Sequence, residues 1–193
     1  MIPLDIARKI LYYVRTCIKA QVKKELPDRT LCVENIFQEH HGIVLQFYRK
    51  DNKSIESSIP IPLYPLKETI MRSVQELLFE RKWTITEEDL ASIEIGIHIL
   101  SEPVLLHVKR TEDYFDLIHV GFEGISIQAG IKSSLVLPSV AELQKWTTHD
   151  LLCYACEQAG LEREEWRDRD IVKICTFKTE SFREKEGRVY EIN

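Results

Sequence analysis

Glycine and proline are scarce in this sequence, at 7 residues each out of 193. That scarcity excludes collagen-like and low-complexity chains, and a hydrophobic fraction of 44% excludes wholesale disorder. Basic charge is in deficit: 26 Lys and Arg face 31 Asp and Glu, for a net charge of −5. A strongly basic nucleic-acid scaffold is thereby excluded, although a local basic patch is not. Long hydrophobic runs are missing too. The longest, Ile93 to Leu100, is interrupted by Glu94 and His98 and falls well short of the roughly 20 apolar residues of a membrane span. The opening MIPLDIARKI lacks the uninterrupted apolar core of a signal peptide. No membrane association is expected. The sequence also carries no GxGxxG, GxxxxGK[ST], HExxH or GxSxG motif, so the dinucleotide, phosphate-loop, zincin and nucleophile-elbow readings have nothing to stand on. Its length suits one domain or two small ones, long enough to build a core of its own.

The cysteines number 5, and an odd count without a secretory leader fits a reducing cytoplasm. Cys153 and Cys156 form a CxxC within LLCYACEQAG. Such a pair serves redox chemistry or supplies half of a metal site, but a structural zinc site needs a second ligand pair, and no second CxxC or HxxxH exists, although His149 is close. The neighbours point elsewhere. Leu151, Leu152, Ala155, Cys156 and Ala159 recur at helical spacing and Gly160 sits where a helix would stop. The pair is expected inside a helix, packed in the core as small hydrophobes, with no metal and no cofactor.

Along the chain, Ile6, Ile10, Val14, Cys17 and Ile18 predict a long amphipathic helix over residues 4–24. IVLQFYR (43–49) and SIESSI (54–59), joined by DNK, predict a hairpin. Leu66, Ile70, Val74 and Leu77 predict a second helix over 63–79, and Thr86 with Asp89 a short capped turn. Ile93, Ile95, Ile97 and Ile99 form the plainest alternation, resumed after Pro103 by Val104 to Val108. A short helix over 112–118, strands in GFEGISIQAG and SSLVLP, helices after Pro138 and Thr148, and a closing strand over 171–182 complete the list. KTESFREKEGR mixes both charge signs, as a solvated strand or tail does. Strands and helices arrive in clusters rather than in strict alternation, which predicts an α+β fold. His40-His41, beside Gly42 between strands, reads as an exposed turn rather than the start of a metal site. The small basic clusters Arg49-Lys50-Lys53 and Arg81-Lys82-Trp83 read as solubilising charge rather than an RNA contact.

From Trp83 onward the order of features resembles one family, the AMMECR domain family, also called AmmeMemoRadiSam system protein A. The signatures are IEIGIHILSEP, GFEGISIQAG, SLVLPSVAELQKW, CEQAGLEREEW, and the spaced Phe177, Glu180, Phe182 and Glu184. PLKETIMRSVQELLFERKW is similar to the helix that precedes them in the family, and the resemblance spans about residues 43–186. It implies a cytoplasmic α+β protein of unassigned activity, with two related strand-and-helix repeats, flanking helices, and a mixed, barrel-like sheet with a cleft. It also implies a single domain over residues 1–193, or two intertwined subdomains around that cleft. Memo-type and radical SAM proteins are the partners it implies, within a modification pathway.

The family hallmark LRGCIG is replaced. Aligned on Tyr64-Pro65-Leu66, this chain offers Ile55, Glu56, Ser57, Ser58, Ile59 and Pro60, so Glu56 stands for the Arg, Ser58 for the Cys and Pro60 for the last Gly. The acid of the family's EVS strand is Gly96 in Gly96-Ile97-His98, Glu80-Arg81-Lys82-Trp83 stands for DPRF, and Ser139 and Gln158 replace a Gln and a Lys. Scaffold positions survive while presumed site positions change. Two function classes follow, besides the RNA reading set aside above. One is a non-catalytic binding or assembly module. The other is an enzyme with a rebuilt cleft, for which Ser58, His98 and Glu56 are the candidate catalytic residues, because period-2 geometry puts Glu56 and Ser58 on one strand face and His98 on the non-Ile face of another.

Overall fold

The structure is a computed structural model that describes residues 1–49, 53–80, 83, 85–86 and 89–192. Apolar periodicity builds its first helix, α1 (Leu4–Lys23), which buries Ala7, Ile10, Leu11, Val14, Cys17 and Ile18 along one side. Lys24 ends it in a left-handed conformation, φ 59°, its backbone N–H returning to Ala20 and Gln21. Strands β1 (Gly42–Tyr48) and β2 (Ser54–Ile59) follow, then α2 (Leu66–Gln75), which continues through Glu80 as a wider π-helical turn, and β3 (Glu94–Leu100). β4 (Val104–Leu105), α3 (Tyr114–Leu117), β5 (Gly124–Ala129), β6 (Lys132–Val136), α4 (Pro138–Gln144) and α5 (Thr148–Gln158) come next, and β7 (Lys173–Phe177), β8 (Thr179–Lys185) and β9 (Arg188–Glu191) close the chain.

The chain forms two compact units. The first comprises residues 1–100 and 180–193, the second 101–179. In the first, a five-stranded sheet runs in the order β2-β1-β3-β8-β9. β1 pairs antiparallel with β2 and with β3, in the registers Leu45↔Ser57 and Leu45↔Ile97. Directly opposed residues share a face, so Ile43, Leu45, Phe47, Ile95, Ile97 and Ile99 form one apolar sheet surface, and α1 and α2 bury it with Ile10, Val14, Ile70 and Val74. In the second unit a four-stranded sheet, β4-β7-β5-β6, is covered by α5, whose Leu152, Ala155 and Cys156 pack with Ile125, Ile127, Ile174 and the fully buried Trp166. Gly124 is fixed there by space: a Cβ on it would come within 2.4 Å of the Phe177 ring.

The α+β class stands, with its strands in two antiparallel sheets; among the described residues no closed barrel forms. The predicted closing strand over 171–182 is two strands in different sheets. The ladder breaks at Lys178, whose N–H donates to Ser101 Oγ while its carbonyl accepts from Ser101 N–H. A continuous period of two does not reveal such a change of sheet. The run from Val104 shortens to two residues in β4. KTESFREKEGR is a tight hairpin of β8 and β9, with Lys185 opposite Arg188 and both turn residues in the left-handed region, Glu186 at φ 51° and Gly187 at φ 74°. Of the predicted DNK turn, Asp51 and Asn52 lie outside the described residues, as do Lys50, Arg81 and Lys82 of the basic clusters and Glu87 and Glu88 of the capped turn; Tyr48 and Ser54 are paired on either side of the first.

Candidate functional site

The alternation that sends isoleucines into the core sends a different set of side chains to the other face of the five-stranded sheet. The rows on that face are Ser54, Tyr48 and Glu94, then Glu56, Gln46 and Gly96, then Ser58, Val44 and His98. β8 adds Ser181, Arg183 and Lys185. This face is polar where the other is apolar, and it carries the candidate residues Glu56, Ser58 and His98 together with Gly96.

A hydrogen-bond relay crosses four strands there. Ser181 Oγ lies 2.8 Å from His98 Nδ1, His98 Nε2 lies 3.1 Å from Gln46 Oε1, and Gln46 Nε2 donates to Glu56 Oε2 at 2.7 Å. Tyr48 donates its hydroxyl to Gln46 Oε1 as well. The donors fix the tautomer. Gln46 gives its amide N–H to Glu56, so its oxygen accepts from His98 Nε2–H, and the bare Nδ1 accepts the Ser181 hydroxyl proton. His98 and Ser181 are 4% and 7% exposed. Burial pushes the His98 pKa down to about 4, so the ring is neutral over the physiological range. Beside the relay, Arg183 donates to Glu94 Oε2 at 2.7 Å, Lys185 lies 3.2 Å from Glu94 Oε1, and the guanidinium lies over the Tyr48 ring at 4.1 Å. Burial works against the Glu94 carboxylate, but its bonds to Arg183 and Lys185 prevail and hold it below the usual range. Arg183 Nε is buried with no hydrogen-bond partner.

His98 and Glu56 are joined through Gln46. Ser58 is not brought to His98: both oppose Val44, from strands on either side of β1, which puts them two strand spacings, about 10 Å, apart. Ser58 is exposed, and the serine on the imidazole is Ser181. Sequence reading passed over Ser181 because β8 was merged with β7, and over Gln46 because one polar residue in a buried strand carries no signal by itself. Gly96 has a spatial reason: a Cβ there would lie 3.3 Å from Gln46 Oε1 and 3.4 Å from Tyr48 Cε2, so those two side chains crowd any side chain at this position.

Two further features lie elsewhere. In the first unit, on the apolar side of the sheet, a cavity of about 560 Å³ opens between α1, residues 30–33 and β9, with Leu11, Leu31, Val33 and Val189 among its walls. In the second, His149, Cys153 and Glu164 present ligand atoms all within 4.8 Å of one another, the one cluster of three or more potential metal ligands among the described residues. His40 and His41 belong to no such cluster; His41 Nε2 pairs with Glu39 at 3.3 Å. Cys156 packs in the core, and burial pushes its thiol up to about 11 and that of Cys17 up to about 12.

Comparison with known proteins gives one family. The AMMECR1 family model matches residues 12–182. Protein MJ0810 of Methanocaldococcus jannaschii is 27% identical over 177 residues, 88% of either chain. Protein PF1979 of Pyrococcus furiosus is 30% identical over 188 residues, 94% of this chain and 85% of its own. Among solved structures, the uncharacterized protein PH0010 of Pyrococcus horikoshii superposes with a TM-score of 0.83 at 23% identity, covering 99% of this chain and 98% of its own, and so shares the fold.

Proposed function

Because the chain belongs to the AMMECR1 family, we propose that it is a non-catalytic binding or assembly module built on that family's scaffold, with the polar sheet face as its recognition surface. The observation that carries this reading is the relay from Ser181 to Glu56. A serine nucleophile needs a base that accepts its proton and a group that stabilises the resulting imidazolium. His98 is a poor base with its pKa near 4, and its second nitrogen meets the neutral amide of Gln46 rather than a carboxylate. Glu56 sits one residue too far, and its charge orients the amide. Such a chain locks side chains in place and activates none of them. What the face presents to a partner is the part-exposed charge cluster of Arg183, Lys185 and Glu94. Glu56 in place of the hallmark Arg disfavours a purely anionic ligand. Memo-type and radical SAM proteins are the partners that family membership puts first.

The test has two arms. The protein is titrated with a Memo-type and a radical SAM protein by calorimetry, and screened against chromogenic esters, phosphoesters and amides. We expect saturable binding to one partner, weakened at least 10-fold by Arg183→Met in a variant whose circular dichroism is unchanged, and no turnover that depends on Ser181. Turnover that disappears in Ser181→Ala would establish the rebuilt-enzyme reading instead, for which the 2.8 Å contact of Ser181 with His98 is the specific support.

A further inference from the structure

The CxxC of α5 splits by function. Both cysteines belong to the core of the second unit, and Cys153, 1% exposed, also places its sulfur against two side chains nearer the surface. His149 precedes Cys153 by four residues, one helical turn, so both lie on one side of α5. The first turn of that helix is held by a reciprocal cap: Thr147 Oγ1 accepts from Asp150 N–H, and the Asp150 carboxylate accepts from Thr147 N–H and O–H. Glu164 comes from the loop after α5. Its Oε2 accepts from Arg167 Nε at 2.8 Å, which fixes the carboxylate and leaves Oε1 facing the histidine and the cysteine.

The three ligand atoms are spaced as a metal would space them. His149 Nε2 to Glu164 Oε1 is 2.9 Å, Cys153 Sγ to Glu164 Oε1 is 3.4 Å, and Cys153 Sγ to His149 Nε2 is 3.7 Å. Zinc bonds of about 2.3 Å to sulfur and about 2.0 Å to nitrogen and oxygen give tetrahedral edges of roughly 3.3–3.6 Å. The two edges from sulfur are close to these lengths and the third needs a few tenths of an ångström, while the sulfur is also 3.8 Å from His149 Nδ1, so the imidazole must turn to aim Nε2 at the ion. Beside the cluster, the indole N–H of Trp166 is buried and makes no hydrogen bond. Trp166 also meets the His149 ring edge-on at 5.9 Å, and Arg167 lies over its face at 4.3 Å, so the outer shell is packed rather than loose.

We infer that His149 Nε2, Cys153 Sγ and Glu164 Oε1 form a binding site for a divalent cation of the zinc class, with a fourth coordination position open to solvent. The mixed nitrogen, sulfur and oxygen set suits zinc or cobalt and excludes the all-oxygen preference of calcium and magnesium. Binding releases the Cys153 proton to solvent and takes the imidazole as its Nδ1–H tautomer; thiolate and carboxylate then neutralise the two charges of the ion. The open position follows from exposure: the His149 and Glu164 side chains are 38% and 47% exposed, and no fourth ligand joins them among the described residues. A site of this kind holds an exchangeable ligand on its metal, unlike the closed four-ligand sites that staple small folds.

The full-length, metal-free protein is titrated with cobalt chloride and followed by absorption. The expected result is one equivalent bound, with the near-ultraviolet sulfur-to-cobalt charge-transfer band and the visible bands of a four-coordinate site, and displacement by one equivalent of zinc. Cys153→Ala removes the charge-transfer band, and Cys156→Ala keeps it. His149→Ala and Glu164→Gln, both at half-exposed positions where folding is not at stake, each weaken cobalt binding at least 10-fold. No charge-transfer band at a severalfold excess of cobalt, or a band that survives Cys153→Ala, or affinity unchanged in both His149→Ala and Glu164→Gln, would overturn the inference.

Discussion

Ser181 and Ser58 stand on the same face of the same sheet and differ in what depends on them. Ser181 supplies the proton that satisfies a buried imidazole nitrogen. Ser181→Ala leaves that acceptor dry, and a loss of about 1–3 kcal/mol is expected in urea unfolding. Ser58 is exposed, and Ser58→Ala should stay within about 0.5 kcal/mol of the parent; equal effects of the two substitutions would contradict the relay as described. His98 gives a pH signature. Its pKa is about 4 in the folded protein against 6.5 for an ordinary histidine. The unfolded chain therefore takes up the proton first as the pH falls. The stability His98 allows is complete above pH 6.5 and is lost progressively down to pH 4, by up to about 3 kcal/mol at 1.36 kcal/mol per pH unit. Denaturation midpoints at pH 7.5 and 4.5 measure this, and His98→Gln should flatten the difference.

Elements are tied together by a few polar contacts that helical and strand periodicity do not encode. Arg15, on α1, donates from Nε to both Glu184 oxygens at 2.8 and 2.7 Å, and from its two terminal nitrogens to the carbonyls of Leu90 at 2.6 Å and Ile93 at 2.8 Å. One side chain thus joins the first helix to β8 and to the segment entering β3. Glu184 is itself only 9% exposed. Arg15→Ala would strand a largely buried carboxylate and two carbonyls, and a cost of about 3 kcal/mol is expected in chemical denaturation. Arg15→Lys should recover part of it, since an ammonium keeps the charge but cannot reach all three partners.

At the scale of the whole chain, the first unit is discontinuous: it takes residues 1–100 and then 180–193. Its sheet places β8 next to β3, so the two ends of the sequence complete one element. A chain ending at residue 179 would lack β8 and β9, expose the β3 edge and leave Arg15 without Glu184. It is expected to be insoluble or to lose cooperative unfolding, as measured by expression and thermal melting. For the same reason limited proteolysis should release no stable N-terminal half. A soluble, cooperatively melting 1–179 fragment would show that the strand closure contributes little.

The sequence by itself determined most of the elements and both apolar faces, because hydrophobic burial imposes periods of 3.6 and 2 that a single chain displays. Ile95, Ile97 and Ile99 announced β3, Ile10 and Val14 announced α1, and the ordered signatures from Trp83 onward identified the family. Tertiary structure alone decided which polar residues meet. His98 was visible as a polar residue on an apolar strand, but its partners Ser181 and Gln46 lie 83 and 52 positions away, and strand order sets such distances. The same holds for the CxxC. Helical spacing put both cysteines in α5, whereas the loop that returns Glu164 separated Cys153 from Cys156 in role. Local pattern fixes the face a side chain occupies; the neighbour across that face is chosen by loops and crossovers, whose energetics are spread over the whole fold.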